Sequence, residues 1–167
     1  VTLDNKYDAL AWGSHLPVLM AAVAASSGPV LEIGIGHFST PALRALCIPL
    51  HRKLVSVEDS SEWFNEFRNY ERDLHRLINA DYDNMLPILA KEHWGAVFID
   101  NSPGGERRRK DFISFIPCSD YVVVHDYHAE NEDAIAPLIG KLEYRVYRKY
   151  QPPTLIASAS KSIPDCI

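Results

Sequence analysis

The residues best suited to chemistry stand at the ends of short apolar runs. The stretch Val30-Leu31-Glu32-Ile33-Gly34-Ile35-Gly36-His37-Phe38-Ser39-Thr40 puts an acid two positions before a pair of spaced glycines. Glycines let a chain bend sharply and approach a ligand closely, and a helix starting just beyond them offers free N–H donors. Ser39 and Thr40 can cap that helix and face a ligand at once. Glu58 closes the next apolar run, KLVSVE. A carboxylate there can accept both hydroxyls of a ribose. Its neighbour Asp59 could take the same role. Asp100 in FIDNSPGG and Asp126 in VVVHDYH close two further runs. With Asn101 nearby they offer hard oxygen donors for Mg²⁺, which would bind and acidify an acceptor hydroxyl. His125 and His128 bracket Asp126, and a neutral imidazole there could act as general base. His128, in the loop, is the preferred one.

Each of these has a plainer reading. Asp100 could hold a loop amide, while Asp126 caps a helix beginning near Glu130. Asp81 and Asp83 could be turn residues. Arg107, Arg108, Arg109 and Lys110 follow Gly104-Gly105 at a helix start. They could grip a phosphate or carboxylate, but a solvated helix face is the default expectation. His15 could close over a ligand or simply pack in a helix. His51, His75 and His93 read as surface or helix-edge positions.

The elements that must carry these residues alternate. Ser14 is expected to cap a helix through about Ser26. Strands are expected over Gly28–Gly34, Lys53–Glu58, Arg76–Ala80, Gly95–Asp100 and Asp120–His125. Helices fall between them: Thr40–Cys47, Ser60 or Ser61 to about Leu74, Met85–Glu92, Glu106–Ile116 and about Asn131–Leu142. Such alternation implies βαβ units and a parallel sheet. The last two strands, Tyr144–Tyr150 and Thr154–Ser158, are separated by Gln151, Pro152 and Pro153 alone. No crossover helix fits in that link, so these strands should pair antiparallel.

This layout, with the VLEIGIG loop closed by Ser39-Thr40, resembles the class I (Rossmann-like) S-adenosylmethionine-dependent methyltransferases, closest to the small-molecule O-methyltransferases. The resemblance covers nearly the whole chain. It implies an α/β three-layer sandwich with a seven-stranded, mostly parallel sheet whose last strand is antiparallel. It implies S-adenosylmethionine as cofactor, with Glu32 near the methionine end and Gly34, Gly36, His37, Ser39 and Thr40 along the loop. Glu58 or Asp59 would hold the ribose, Asp81 and Tyr82 the adenine. Asp100 would sit beside the methyl donor and acceptor, with Asp126 and His128 as further catalytic residues. Asp100 and Asp126 would be the Mg²⁺ ligands of a metal-dependent member. The Lys or His usual after the fourth-strand aspartate is replaced by Ser102, Pro103 and Gly104, which counts against the metal. The D/N-P-P-aromatic run of amine-directed nucleic-acid methyltransferases is missing at Asp100-Asn101-Ser102-Pro103. Two other readings stay open. An NAD-dependent oxidoreductase shares Gly34, Gly36 and Glu58, although Ser39 stands where GxGxxG needs its third glycine. A non-catalytic module could keep the pocket without turnover.

The 167 residues suit one domain, 1–167, with residues 1–27 as a helical segment packed on it. A content of 47% hydrophobic and 23% charged residues is that of an ordinary soluble globular chain. A net charge of -5 argues against a general polyanion binder. The resemblance, through the Ser39-Thr40 loop and the strand-end aspartates, implies a small-molecule substrate; nucleic acid is an unfavoured partner, and no membrane is expected. The sequence sets no oligomeric state and is compatible with a homodimer. Cys47, Cys118 and Cys166 are odd in number and form no CxxC, so reduced thiols in a cytoplasmic setting are expected. Leu16–Ala25 imitates the apolar core of a secretory signal. Asp4, Lys6 and Asp8 precede it instead of a basic cluster, and it is too short to span a bilayer. A buried helix is expected there, and a leader trimmed before Val1 stays compatible with the sequence.

Overall fold

The computed structural model describes residues 12–165. Asp4, Lys6, Asp8 and Cys166 lie outside the described residues. In chain order the elements are α1 (Leu16–Ala25), β1 (Val30–Ile33), α2 (Ser39–Cys47), β2 (Leu54–Glu58) and α3 (Ser61–Phe67). There follow β3 (His75–Asn79), α4 (Tyr82–Leu89), β4 (Trp94–Ile99), α5 (Glu106–Phe115) and β5 (Ser119–Val124). The chain then runs through α6 (Ala129–Ile139), β6 (Glu143–Tyr147) and β7 (Thr154–Ser158).

Seven strands form one sheet in the order β3-β2-β1-β4-β5-β7-β6. Strands β1 to β5 are parallel, and β7 runs antiparallel between β5 and β6. This is the expected α/β sandwich with its closing antiparallel hairpin. Successive side chains of a strand point to opposite faces, so each strand divides its apolar residues between two cores. Leu54, Ala96, Phe98, Tyr121 and Val123 pack with Val18, Leu19, Ala22 and Val23 of α1 and with Leu43 and Cys47 of α2. Leu31, Ile33, Val97, Ile99, Val122 and Val124 pack on the other face, against α4, α5 and α6.

Several expectations are corrected. Ser14 does not cap α1: the residue before the helix is His15, and Pro17 occupies the first turn. The Ser14 hydroxyl is instead drawn into the site described below. Ser60 does cap α3, accepting the Trp63 N–H at 3.2 Å, but that helix ends at Phe67 and gives way to a 3-10 turn at Arg68–Tyr70. The helix expected over Met85–Glu92 begins at Tyr82, because Asp81 caps it through the Asn84 N–H at 3.1 Å. His75 is buried, not at the surface, and pairs with the Ser56 hydroxyl at 2.9 Å. Among the described residues no helix is long and apolar enough to cross a membrane. Cys47 and Cys118 are free thiols.

Candidate active site

One row of the sheet builds the site. Strand register aligns Val57, Ile33, Ile99 and Val124 across β2, β1, β4 and β5. The next residues along those strands are Glu58, Gly34, Asp100 and His125, so these four stand together at the carboxyl rim, where open parallel sheets bind ligands. By alternation they share the face that carries Leu54, Phe98 and Val123, beneath α1 and α2. All four line a cavity of about 550 Å³, within the range of small-molecule sites.

Gly34 is required by its place. Its φ is +92°, and a Cβ there would lie 2.7 Å from the Asp100 carbonyl oxygen and 2.8 Å from the Asn101 nitrogen. No side chain can occupy that approach of β1 to the end of β4. Glu58 accepts the backbone N–H of Ile35 at 3.1 Å and that of Ser60 at 2.9 Å. A carboxylate has about four acceptor positions, so two remain for a ligand. Burial pushes the Glu58 carboxyl above its usual range, against the pull of those two N–H groups, and Asp59 pushes it further up. Asp59 is exposed at the rim. Gly36, His37 and Ser39 line the same cavity. His37 stands edge-on to Trp63, with ring centroids 5.1 Å apart, and the Trp63 indole N–H donates to the Ile35 carbonyl at 2.6 Å.

On the other side Arg108 of α5 is buried and fully engaged. It donates to Asp100 Oδ1 at 3.0 Å, Asp126 Oδ2 at 3.4 Å, the His125 carbonyl at 2.7 Å and the Asn101 carbonyl at 2.9 Å. The solvated face expected for the basic run therefore fails at Arg108. A guanidinium holds the space between the two carboxylates, so this oxygen pair does not fit Mg²⁺: an ion there would have to expel a buried arginine. Burial opposes the charge of Asp100, but His125, Arg108 and His15 outweigh it and hold its carboxyl below the usual range. Asp126 adopts φ +51°, a left-handed conformation that Asp tolerates better than most residues, and it caps no helix.

The remaining candidates lie apart from the cavity. Glu32 is fully buried on β1 and accepts the Thr40 hydroxyl at 2.9 Å and the Ser56 hydroxyl at 2.5 Å. Neither Glu32 nor Thr40 lines the cavity. Asp81 is exposed at the start of α4, and Tyr82 is buried in the core with Leu86 and Leu89. His128 is exposed in a second, more open hollow that shares Ser102, Arg108, Asp126 and Pro152 with the first.

Neither a family model nor a curated protein sequence matches this chain. Solved structures do. A methyltransferase of Podospora anserina, bound to S-adenosylhomocysteine, is similar with a TM-score of 0.64 and 14% identity, over 86% of this chain and 76% of that one. The fold is the Rossmann-like methyltransferase fold. A precorrin-6y C5,15-methyltransferase of Geobacter metallireducens shares the methyltransferase fold with a TM-score of 0.60 and 12% identity, over 84% of each chain. A predicted O-methyltransferase of Agrobacterium tumefaciens shares it with a TM-score of 0.55 and 19% identity, over 87% and 82%.

Reading the sequence missed Trp63, Ser14, Pro152 and the inward turn of Arg108. For Arg108 a signal existed. Arg108, Phe112 and Phe115 are spaced i, i+4 and i+7, which puts the arginine on the apolar face of α5 within the methyltransferase fold.

Proposed function

We propose that this chain is an S-adenosylmethionine-dependent methyltransferase that methylates a small molecule on oxygen. The observation that carries this reading is the shared rim of Gly34, Glu58 and Asp100 around one cavity in a methyltransferase fold. Glu58 would hold the ribose hydroxyls, and the Gly34–Ser39 loop would take the methionine end. The acceptor would enter from the hollow on the Asp126 side, where His128 is free to serve as base. The sulfonium is already activated, so the protein's share is orientation and exclusion of water. Arg108 supplies the fixed positive charge beside the carboxylates, and no Mg²⁺ is needed to balance them. The free thiols of Cys47 and Cys118 support a cytoplasmic setting.

Calorimetry with S-adenosylhomocysteine and with NAD tests the cofactor. One equivalent of S-adenosylhomocysteine should bind, and NAD should not; the opposite result defeats the reading. Transfer of a labelled methyl group is then compared between hydroxylated small molecules, amines and RNA. Preferential labelling of amines or RNA would overturn the oxygen assignment.

A further inference from the structure

We infer that His15, Asp100 and His125 form a site for one divalent transition-metal ion of the Zn²⁺ or Co²⁺ kind, with an open position toward the cavity. The inference stands apart from the methyl-transfer reading and from the Mg²⁺ pair rejected above. It rests on nitrogen donors and on a different oxygen of Asp100.

Proton counting gives the first argument. The single hydroxyl hydrogen of Ser14 is donated to the Pro152 carbonyl at 2.8 Å. Toward His125 Nε2, at 2.9 Å, Ser14 can then only accept, which fixes the ring hydrogen on Nε2. On that ring Nδ1 carries either a second proton or a bare lone pair. It faces Asp100 Oδ2, an acceptor, across 3.2 Å. Two acceptors this close need a cation between them, a proton or a metal ion. Donation from the second ring nitrogen to a fixed oxygen is also how metal-ligating histidines are ordinarily oriented.

The spacing agrees. Tetrahedral bonds of about 2.0 Å put two donors roughly 3.3 Å apart, so Asp100 and His125 already span one edge of such a site. One ligand atom each from His15, Asp100 and His125 lie within 4.8 Å of one another. Arg108 does not compete, because it engages Oδ1 of Asp100 and leaves Oδ2 to this cluster.

His15 supplies an independent observation. It is only 2% exposed, yet neither ring nitrogen has a hydrogen-bond partner. Its ring lies 4.7 Å from that of Phe98 and 4.5 Å from that of His125, centroid to centroid. An unsatisfied buried polar ring is costly, and an ion would satisfy it. Two imidazoles and one carboxylate suit zinc, cobalt or iron and not magnesium or calcium.

The test is a titration of metal-stripped protein with Co²⁺, followed by visible spectroscopy. One equivalent should saturate an intense ligand-field band of low-coordinate Co²⁺, and Zn²⁺ should bleach it. His15→Phe keeps an aromatic ring against Phe98 but removes both nitrogens. It should unfold at or above the parent temperature in chelator and bind Co²⁺ at least about tenfold more weakly. Ser14→Ala should cost about tenfold through loss of ligand orientation. A parent protein without a saturable band overturns the site, whatever the variants do. So does Co²⁺ binding that His15→Phe leaves unchanged; the cation between His125 and Asp100 is then a proton.

Discussion

Arg108 donates to Asp100 at 3.0 Å while the same guanidinium reaches Asp126 at 3.4 Å, tying the ends of β4 and β5 to α5. The arginine side chain is 7% exposed, and the carboxylates are 24% and 34% exposed. Removing one member of a buried pair leaves an uncompensated charge, at about 3–5 kcal/mol when solvent is excluded. Water reaches both carboxylates here, so Arg108→Met should cost about 2–3 kcal/mol, read from urea unfolding. Arg108→Lys should recover little, since an ammonium cannot reproduce the four directed bonds of the fork. Turnover of the parent should be indifferent to added Mg²⁺.

Glu58 separates binding from folding through two variants. Ile35 and Ser60 bind different oxygens of Glu58, so Glu58→Gln keeps an acceptor for only one of these backbone N–H groups and also loses the charge that would hold two ribose hydroxyls. Hydrogen bonds to a charged group contribute about 1.5–3 kcal/mol, so S-adenosylhomocysteine should bind roughly 10- to 100-fold more weakly, with a smaller fall in unfolding temperature than Glu58→Ala shows. Glu58→Ala should lose both. Calorimetry and thermal unfolding on the same samples check the split. If either variant binds as tightly as the parent, Glu58 is not the ribose ligand.

Gly34→Ala should be severe. The new Cβ meets the Asp100 carbonyl at 2.7 Å in a backbone with φ +92°. A strained backbone conformation costs about 1–3 kcal/mol before the clash with neighbouring backbone is added. Chemical unfolding should show a loss of at least that size, and the cavity should lose its ligand.

Much of this was legible in the sequence. The alternating runs and the two-proline link between the final strands dictate the sheet, and the acids closing the second and fourth strands do line the cavity. The rest depends on which face a residue takes, and local pattern does not report that. Glu32 shares the facing of Glu58 and Asp100, but it lies two residues below the rim and so meets Thr40 and Ser56 inside the core. Ser14 reads as a helix cap, while its partner His125 is 111 positions away. Arg108 reads as one of four surface cations until its spacing to Phe112 and Phe115 is weighed.

Glu32 makes the pH dependence of stability testable. Burial pushes its carboxyl up from 4.5 to about 7, although the Ser39, Ser56 and Thr40 hydroxyls favour the charged form. The folded protein therefore holds this proton more tightly than the unfolded chain does. The stabilisation is complete below pH 4.5 and is lost as pH rises to about 7. Buried His75 works in the opposite sense. Burial, then Arg44, lower it from 6.5 to about 4, so its contribution is present above pH 6.5 and lost as pH falls toward 4. His15, similarly lowered to about 3, adds to the acid side. The Glu32 and histidine slopes oppose one another between pH 4.5 and 6.5, and substitution at Glu32 separates them. Glu32→Gln mimics the protonated acid, so parent and variant should be nearly equal in stability at pH 4.5. At pH 8 the variant should be the more stable, by at most about 3 kcal/mol at 1.36 kcal/mol per pKa unit. Urea unfolding in chelator at the two pH values measures the gap. A gap that does not widen with pH would mean that the three hydroxyls already hold Glu32 as a carboxylate.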